Sequence, residues 1–161
     1  MSRGFTLFET IVVIGILSSI FVVGLQVSTV FENVLAARGA RQIESVLGTA
    51  AQRARSGVNG TNWGVYFAYD NTTRIPTSAI IFSGSTYVSR DVTKDIVFPL
   101  SDNLKFTDVS LSGASPSSGN DHEIDFTFLS GSTTQYGSLT ISSYASTTQI
   151  DIPATGIAVR R

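Results

Sequence analysis

An uncharged segment near the amino terminus constrains the fold of this chain more than any other feature. The run from Thr10 to Phe31 is twenty-two residues long, consists mostly of Ile, Val, Leu and Phe, and contains no charged side chain. Because a helix rises about 1.5 Å per residue, such a run can cross a hydrocarbon layer roughly 30 Å thick. The sequence therefore predicts a membrane-spanning helix close to the amino terminus.

One carboxylate lies at the leading edge of this apolar run. Glu9 immediately precedes Thr10, and an unpaired carboxylate in lipid is energetically costly. A charged group in such a place normally has a partner of opposite charge. We therefore expect Glu9 to pair with a positive group on another molecule.

The residues around this carboxylate resemble the processing signal of a known family. Residues 3–9 read Arg-Gly-Phe-Thr-Leu-Phe-Glu and are followed by the apolar run, an order that resembles type IV prepilins and the pseudopilins of type II secretion. In that family a prepilin peptidase cuts after the glycine and methylates the new amino terminus. The resemblance implies a leader of residues 1–4, cleavage between Gly4 and Phe5, and N-methylation of Phe5.

The same resemblance implies a structural function and a set of partners. The family's glutamate pairs with the amino terminus of a neighbouring subunit as a filament assembles, which gives Glu9 an assembly role. The implied partners are other pilin or pseudopilin subunits, prepilin peptidase, an assembly platform and its ATPase. The implied location is a single-pass inner-membrane protein with its head outside the cytoplasm, which later enters a periplasmic or cell-surface filament.

Two other interpretations of the amino terminus remain open. An ordinary membrane anchor, carrying a binding domain that never polymerises, explains the apolar run but leaves Gly4 and Glu9 unexplained. A secretory signal peptide normally has a core of about 7–15 apolar residues before a small-residue cleavage site. Residues 34–36 read Val-Leu-Ala and are compatible with such a site, but the core is longer than usual and Glu32 interrupts it.

Residues 5–56 are predicted to form one long helix, the stem, in two halves. Residues 5–31 are apolar on all sides, as expected for a membrane span that later forms a filament core. Residues 32–56 are amphipathic, and their apolar side chains recur at steps of three and four, so this half should lie along a sheet. That stripe consists of Leu35, Ala36, Ala40, Ile43, Leu47, Ala50, Ala51 and Ala54. Gly57 is predicted to end the stem as a C-terminal cap.

Residues 57–161 are predicted to form a β-rich head. Short β-branched and aromatic segments separated by Gly-, Ser- and Pro-containing turns predict antiparallel strands in one sheet or a small sandwich. The expected fold class is α+β: a long N-terminal α-helix, half transmembrane and half amphipathic, packed on a C-terminal antiparallel β-sheet head. The predicted strands are 63–69, 78–82, 95–98, 104–111, 123–129, 136–142, 148–152 and 156–160.

Two features indicate which kind of subunit this is. The chain has no cysteine, which excludes a disulfide and differs from many major pilins that close a C-terminal loop with one. A stem followed directly by Asn-Trp-Gly-Val-Tyr-Phe at residues 62–67 resembles the GspH/FimT-like group of minor pilins and pseudopilins. Both features favour a minor pilin or pseudopilin.

Charge is distributed unevenly along the chain. Between Arg38 and Arg55 the stem carries four arginines (38, 41, 53 and 55) against Glu44 alone, whereas the net charge of the whole chain is −1. A basic stem and a more acidic head would suit charge complementarity between stacked subunits. Ordinary solvated surfaces explain the same distribution.

The sequence offers little for catalysis or metal binding. His122 is the only histidine, it lies in a Ser- and Gly-rich loop, and no Gly-x-Ser-x-Gly segment accompanies it. We therefore expect no enzyme activity, no cofactor and no metal site. Asn120, Asp121, Glu123 and Asp125 bring oxygen ligands close together, which leaves calcium an open question, but they lack the Gly and terminal Glu of an EF-hand loop.

The carboxyl terminus carries the basic feature relevant to nucleic acid. DNA-binding members of the FimT-like group use a basic C-terminal stretch, and this chain ends in Arg160 and Arg161. The resemblance implies a filament-tip DNA contact through this pair as an alternative function. Two cations neutralise few phosphates, so one subunit alone would bind DNA weakly.

Overall fold

The structure is a computed structural model of the chain. It describes residues 6–69, 72–73, 75–101, 103–112, 123–143 and 146–161, without the side chains of residues 23–33, 35–36 and 69. The predicted cleavage residues Gly4 and Phe5, and His122 of the predicted loop, lie outside the described residues.

The first element is α1, which spans Leu7–Arg55 and contains forty-nine residues. Thr6 caps its start, because the Thr6 backbone is extended and its Oγ1 accepts the N–H of Glu9 at 3.3 Å. At the other end Gly57 adopts a left-handed conformation with φ 66° and its N–H donates to Ala54 O. The predicted glycine cap is thereby confirmed.

The two halves of α1 differ in their surroundings. Every described side chain from Thr6 to Val22 is exposed, whereas the second half is buried against the head from Gly39 onward. Among the residues that the structure describes, no helix is both long enough and apolar enough to cross a membrane.

The buried stripe of α1 agrees with the predicted one where it is described. Its members are Ala40, Ile43, Val46, Leu47, Ala50, Ala51 and Ala54. Val46 was missing from the prediction, and the side chains of Leu35 and Ala36 lie outside the described residues. Gly39 extends the stripe, since Leu104 packs so closely on it that an added Cβ would overlap Leu104 Cδ2. The absence of a side chain there lets the sheet approach the helix.

The head contains two four-stranded antiparallel sheets, so the expected α+β class with antiparallel strands is confirmed. Sheet A has the strand order β3-β2-β1-β5 and sheet B the order β4-β6-β7-β8. The strands are β1 (Trp63–Tyr69), β2 (Pro76–Ser83), β3 (Ile96–Pro99), β4 (Leu104–Ser112), β5 (Glu123–Phe126), β6 (Tyr136–Ser143), β7 (Ser146–Ile152) and β8 (Val159–Arg160). Two short 3-10 helices, Val58–Gly60 and Val92–Lys94, lie in the connections.

One core joins α1 to the inner faces of both sheets. Sheet A contributes large buried side chains such as Trp63, Phe67 and Phe126, and sheet B contributes residues such as Phe106 and Ile141. The rings of Phe67 and Phe106 meet edge to face with their centroids 5.3 Å apart, which links the two sheets directly. The head is therefore packed on the second half of α1 as one unit.

Two predicted strands are shorter than expected. The strand predicted over residues 123–129 ends at Phe126, because Leu129 adopts φ 64° and its N–H donates to Ala54 O at 2.8 Å instead of to a strand. The strand predicted over residues 156–160 is reduced to β8, because the N–H of Gly156 closes a turn onto Pro153 O. Both turns contact the C-terminal end of α1. The alternation of side chains that predicts a strand does not predict such a contact.

Candidate functional site

Glu9 lies in the first turn of α1 and is exposed. Its backbone N–H is used by Thr6 Oγ1, and a carboxylate in the first turn also interacts favourably with the helix dipole. Thr and Glu three positions apart are the residues of a capping box, in which each side chain bonds the other's backbone N–H. The local geometry therefore gives Glu9 a structural use in addition to its predicted role in assembly.

The first half of α1 presents apolar side chains on all its sides. Leu7 is 81 % exposed and Phe21 is 68 % exposed, and the aliphatic residues between them are exposed as well. Soluble monomers rarely leave a contiguous apolar surface of this extent, which normally marks contact with a membrane or another protein. No described residue of the head covers this segment.

The C-terminal arginines are attached to the head and the stem. Arg161 Nε lies 2.6 Å from Asp151 Oδ2, although the Arg161 side chain stays 77 % exposed. The backbone N–H of Arg160 donates to Glu44 Oε1 at 3.1 Å. An exposed ion pair of this kind contributes about 0–1 kcal/mol. Contact of these arginines with DNA stays a prediction.

Two stem arginines contact the head. Arg55 donates from Nη2 to Thr155 O at 2.8 Å and from Nε to Ser130 O at 3.3 Å. The guanidinium of Arg53 lies over the Trp63 ring, 4.8 Å from its centroid. Both arginines therefore stabilise the junction between the helix and the head rather than forming a free basic surface.

Sequence reasoning missed a buried carboxyl pair on β5. Glu123 and Asp125 were interpreted as loop or outward-facing residues, yet Glu123 is only 1 % exposed. Residues two apart on a strand share a face, and the register places Glu123 opposite Tyr66 and Asp125 opposite Gly64 on β1. The pair therefore lies on the outer face of sheet A, turned away from α1.

The two carboxyl groups have different partners. Glu123 Oε1 accepts the backbone N–H of Tyr87 at 2.6 Å. The Asp125 carboxyl is hydrogen-bonded to the side chains of Glu123 and Gln135, whereas its Oδ1 finds no hydrogen-bond partner among the described residues. That oxygen lies close to Gly64, where an added Cβ would be 2.6 Å from it.

This environment changes the protonation of the pair. Burial raises the pKa of Asp125 to about 8, and the charge of Glu123 and the hydrogen bond to it act in the same direction, while the hydrogen bond from Gln135 opposes them. Two adjacent buried carboxylates do not both ionise readily. Near neutral pH Asp125 therefore holds a proton.

Glu123 is covered by residues 84–95, which connect β2 to β3 and are called the lid below. The Tyr87 ring stacks on Tyr66 with centroids 3.8 Å apart and an interplanar angle of 9°. The same ring meets Phe82 edge to face at 5.7 Å. Arg90 lies on Tyr87, 3.6 Å from the ring centroid, and forms an ion pair with Asp95 at 2.9 Å. The lid thus places Tyr87, with Arg90 lying on its ring, next to Glu123.

The described part of the chain holds no cluster of three metal-ligating side chains. The two other residues considered for calcium, Asn120 and Asp121, lie outside the described residues, so that question is untouched. Comparison with protein-family models, with curated proteins and with solved structures finds no match for this chain.

Proposed function

We propose that this chain is a pilin-like structural subunit, a minor pilin or pseudopilin, of a type IV pilus or a type II secretion pseudopilus. One observation carries the proposal. The single helix α1 is buried in the head along its second half and leaves its apolar first half uncovered, as far as the structure describes it. A segment of this kind requires an apolar environment that another molecule or a membrane supplies.

Before assembly, this segment is proposed to anchor the subunit in the inner membrane, with the head outside the cytoplasm. The described side chains of the first half stop at Val22, while the uncharged run in the sequence continues to Phe31. Twenty-two residues of helix cover about 33 Å, which matches a hydrocarbon layer of roughly 30 Å. After extraction by the assembly platform and its ATPase, the same surface would form the filament core.

Glu9 is the proposed determinant of subunit register. Prepilin peptidase would cut between Gly4 and Phe5 and methylate Phe5, and the new amine of one subunit would pair with Glu9 of its neighbour. This pairing would neutralise a carboxylate that is otherwise costly in an apolar environment.

The first test is the mass of the N-terminal peptide from membrane and sheared-surface fractions. We expect a peptide that begins at N-methylated Phe5 and is present in both fractions. A peptide that retains Met1 would identify an anchored binding domain that does not polymerise. A peptide that begins at Ala37 would identify a secreted protein, and either of these results would refute the proposal.

The second test separates assembly from helix capping at Glu9. Glu9→Gln and Glu9→Ala both remove the charge and keep the observed bond from the backbone N–H of residue 9 to Thr6 Oγ1, whereas only glutamine keeps the side-chain oxygen that a capping box uses. We expect both variants to enter the membrane and neither to assemble into sheared filaments. Normal assembly of Glu9→Gln would show that Glu9 acts through the cap, and normal assembly of both variants would exclude any role in register.

A further inference from the structure

The lid is held together by its own contacts, is fixed near its two ends by backbone bonds from Gly84 N–H to Asn62 O and from Asp91 N–H to Ser83 O, and contacts sheet A between them through Tyr87. Within the lid, Arg90 pairs with Asp95 and also donates from Nη1 to Tyr87 O at 2.6 Å. Between lid and sheet, the Tyr87 N–H donates to Glu123 and the Tyr87 ring stacks on Tyr66. The segment between these two backbone bonds, residues 85–90, can therefore lift from sheet A once the attachment at Tyr87 is lost.

The strength of that attachment depends on the charge beneath it. Glu123 Oε1 accepts the Tyr87 N–H at 2.6 Å, and the strength of such a bond depends on the charge at the acceptor. Asp125 is hydrogen-bonded to Glu123, and its Oδ1 lies near Gly64 without a polar partner among the described residues. Because no described group there would stabilise a negative charge on Oδ1, this position favours the neutral form of Asp125. An ionised Asp125 would repel Glu123, the residue that holds the Tyr87 N–H.

We propose that the lid is a proton-controlled latch, closed on sheet A while Asp125 holds its proton beside Glu123 and opened as that proton is withdrawn. An open lid would uncover the Tyr66 ring and Phe82, which is fully buried when the lid is closed. The latch would thus convert a change in pH into exposure of an aromatic surface on the head. It does not depend on assembly of the chain into a filament.

The other groups near the pair oppose or favour the closed state in identifiable ways. Burial raises the pKa of Tyr66, and the neighbouring Tyr87 and Glu123 add to the shift while Arg90 reduces it, so Tyr66 stays neutral over the range in which Asp125 titrates. Arg90 is already paired with Asp95. Gln135, from the residues before β6, stays neutral at every pH and favours the ionised form of Asp125. Asp121 and His122 precede the pair in sequence and lie outside the described residues.

The test is amide hydrogen exchange of Tyr87 in the full-length chain in mild detergent between pH 5 and pH 9.5. With the pKa of Asp125 raised to about 8 when the lid is closed, each unit by which the pH rises toward that value weakens the closed state by up to tenfold. We expect the protection factor of the Tyr87 amide to fall by up to tenfold per pH unit, and to level off above about pH 8. It should also be lower at each pH than that of the core amide of Val65.

Two variants and one control separate the latch from other effects of pH. Asp125→Asn is neutral and nearly isosteric, so its Tyr87 protection should be independent of pH. Glu123→Gln keeps an oxygen acceptor for Tyr87 but removes the charge next to Asp125. The pKa of Asp125 should then be lower, so the fall in Tyr87 protection should end at a lower pH. Asp108→Asn changes an exposed carboxylate on β4 and should leave the wild-type profile unchanged.

The proposal is overturned by any of three results. Wild-type protection of Tyr87 that does not change with pH would exclude control by the pair. A profile of Asp125→Asn equal to that of the wild type would assign the titration to another group. Equal protection of Tyr87 and Val65 at every pH would mean that the lid opens only when the whole head unfolds.

Discussion

Two glycines on α1 provide a matched pair for testing how the helix lies on the head. Gly39 faces sheet B, and a Cβ added there would overlap Leu104 Cδ2, with Cδ1 at 2.8 Å and Cγ at 3.0 Å. Gly48 lies on the exposed side, and an added Cβ would meet nothing within 4 Å. Replacing glycine by alanine inside a helix stabilises it by about 0.5–1 kcal/mol, whereas overpacking a core costs about 1–3 kcal/mol. We therefore expect Gly48→Ala to stabilise the protein by about 0.5–1 kcal/mol, and Gly39→Ala to destabilise it by about 1 kcal/mol.

The measurement is urea unfolding in mild detergent, followed by fluorescence of Trp63, the single tryptophan, which is buried in the core. Because the change in helix propensity is common to both variants, the difference between them isolates the overpacking cost. Leu104→Val in the Gly39→Ala background should recover part of the loss, which a double-mutant cycle measures. Equal stabilisation by both alanine variants would mean that Leu104 does not pack on Gly39, and that the register of α1 against β4 is wrong.

Three further predictions concern the head. The pKa of Asp125 is about 8 in the folded chain against an ordinary value of 3.8, so the folded state binds the additional proton. Stability measured in urea should therefore fall by up to about 1.4 kcal/mol per unit as pH rises from about 4 to about 8, and Asp125→Asn should remove this slope. Leu129 has φ 64° and is 64 % exposed, so Leu129→Gly should raise the melting temperature by relieving about 1 kcal/mol of backbone strain. Arg55→Ala should lower stability by about 1–2 kcal/mol, because two hydrogen bonds to Ser130 and Thr155 are lost, and Arg55→Lys should restore only part of it.

Much of the fold was predictable because its signals are local. The strand predicted over residues 63–69 is β1 as observed, since aromatic and β-branched residues fill it and turns bound it. Gly57 ends the helix as predicted, because a left-handed residue is needed there and glycine adopts that conformation at little cost. The buried stripe from Ala40 to Ala54 followed from spacing alone.

The carboxyl pair was not predictable from the same signals. Alternation along β5 placed Ile124 and Phe126 inside and therefore put Glu123 and Asp125 on the other face, which was interpreted as solvated. That face is buried because the lid, with Tyr87 thirty-six positions away from Glu123, folds over it. A contact of such sequence separation leaves no periodic pattern. Gly64, which lies opposite Asp125 on the outer face of β1, was the one local sign in the sequence that another group approaches the strand closely.

The C-terminal end of α1 explains how a load on the stem would reach the head in the proposed filament. The carbonyl of Ala54 accepts the Leu129 N–H as well as the Gly57 N–H, so the turn after β5 is hydrogen-bonded directly to the end of the helix. Arg55 adds bonds to the turns at Ser130 and Thr155, which follow β5 and β7 and therefore belong to different sheets. A pull along α1 would be distributed to sheet A and sheet B together, in parallel with the buried stripe. In such a subunit the same helix is both the anchor and part of the core of the head. It needs a junction of this kind, because shear between helix and sheet would otherwise be resisted by apolar contacts alone.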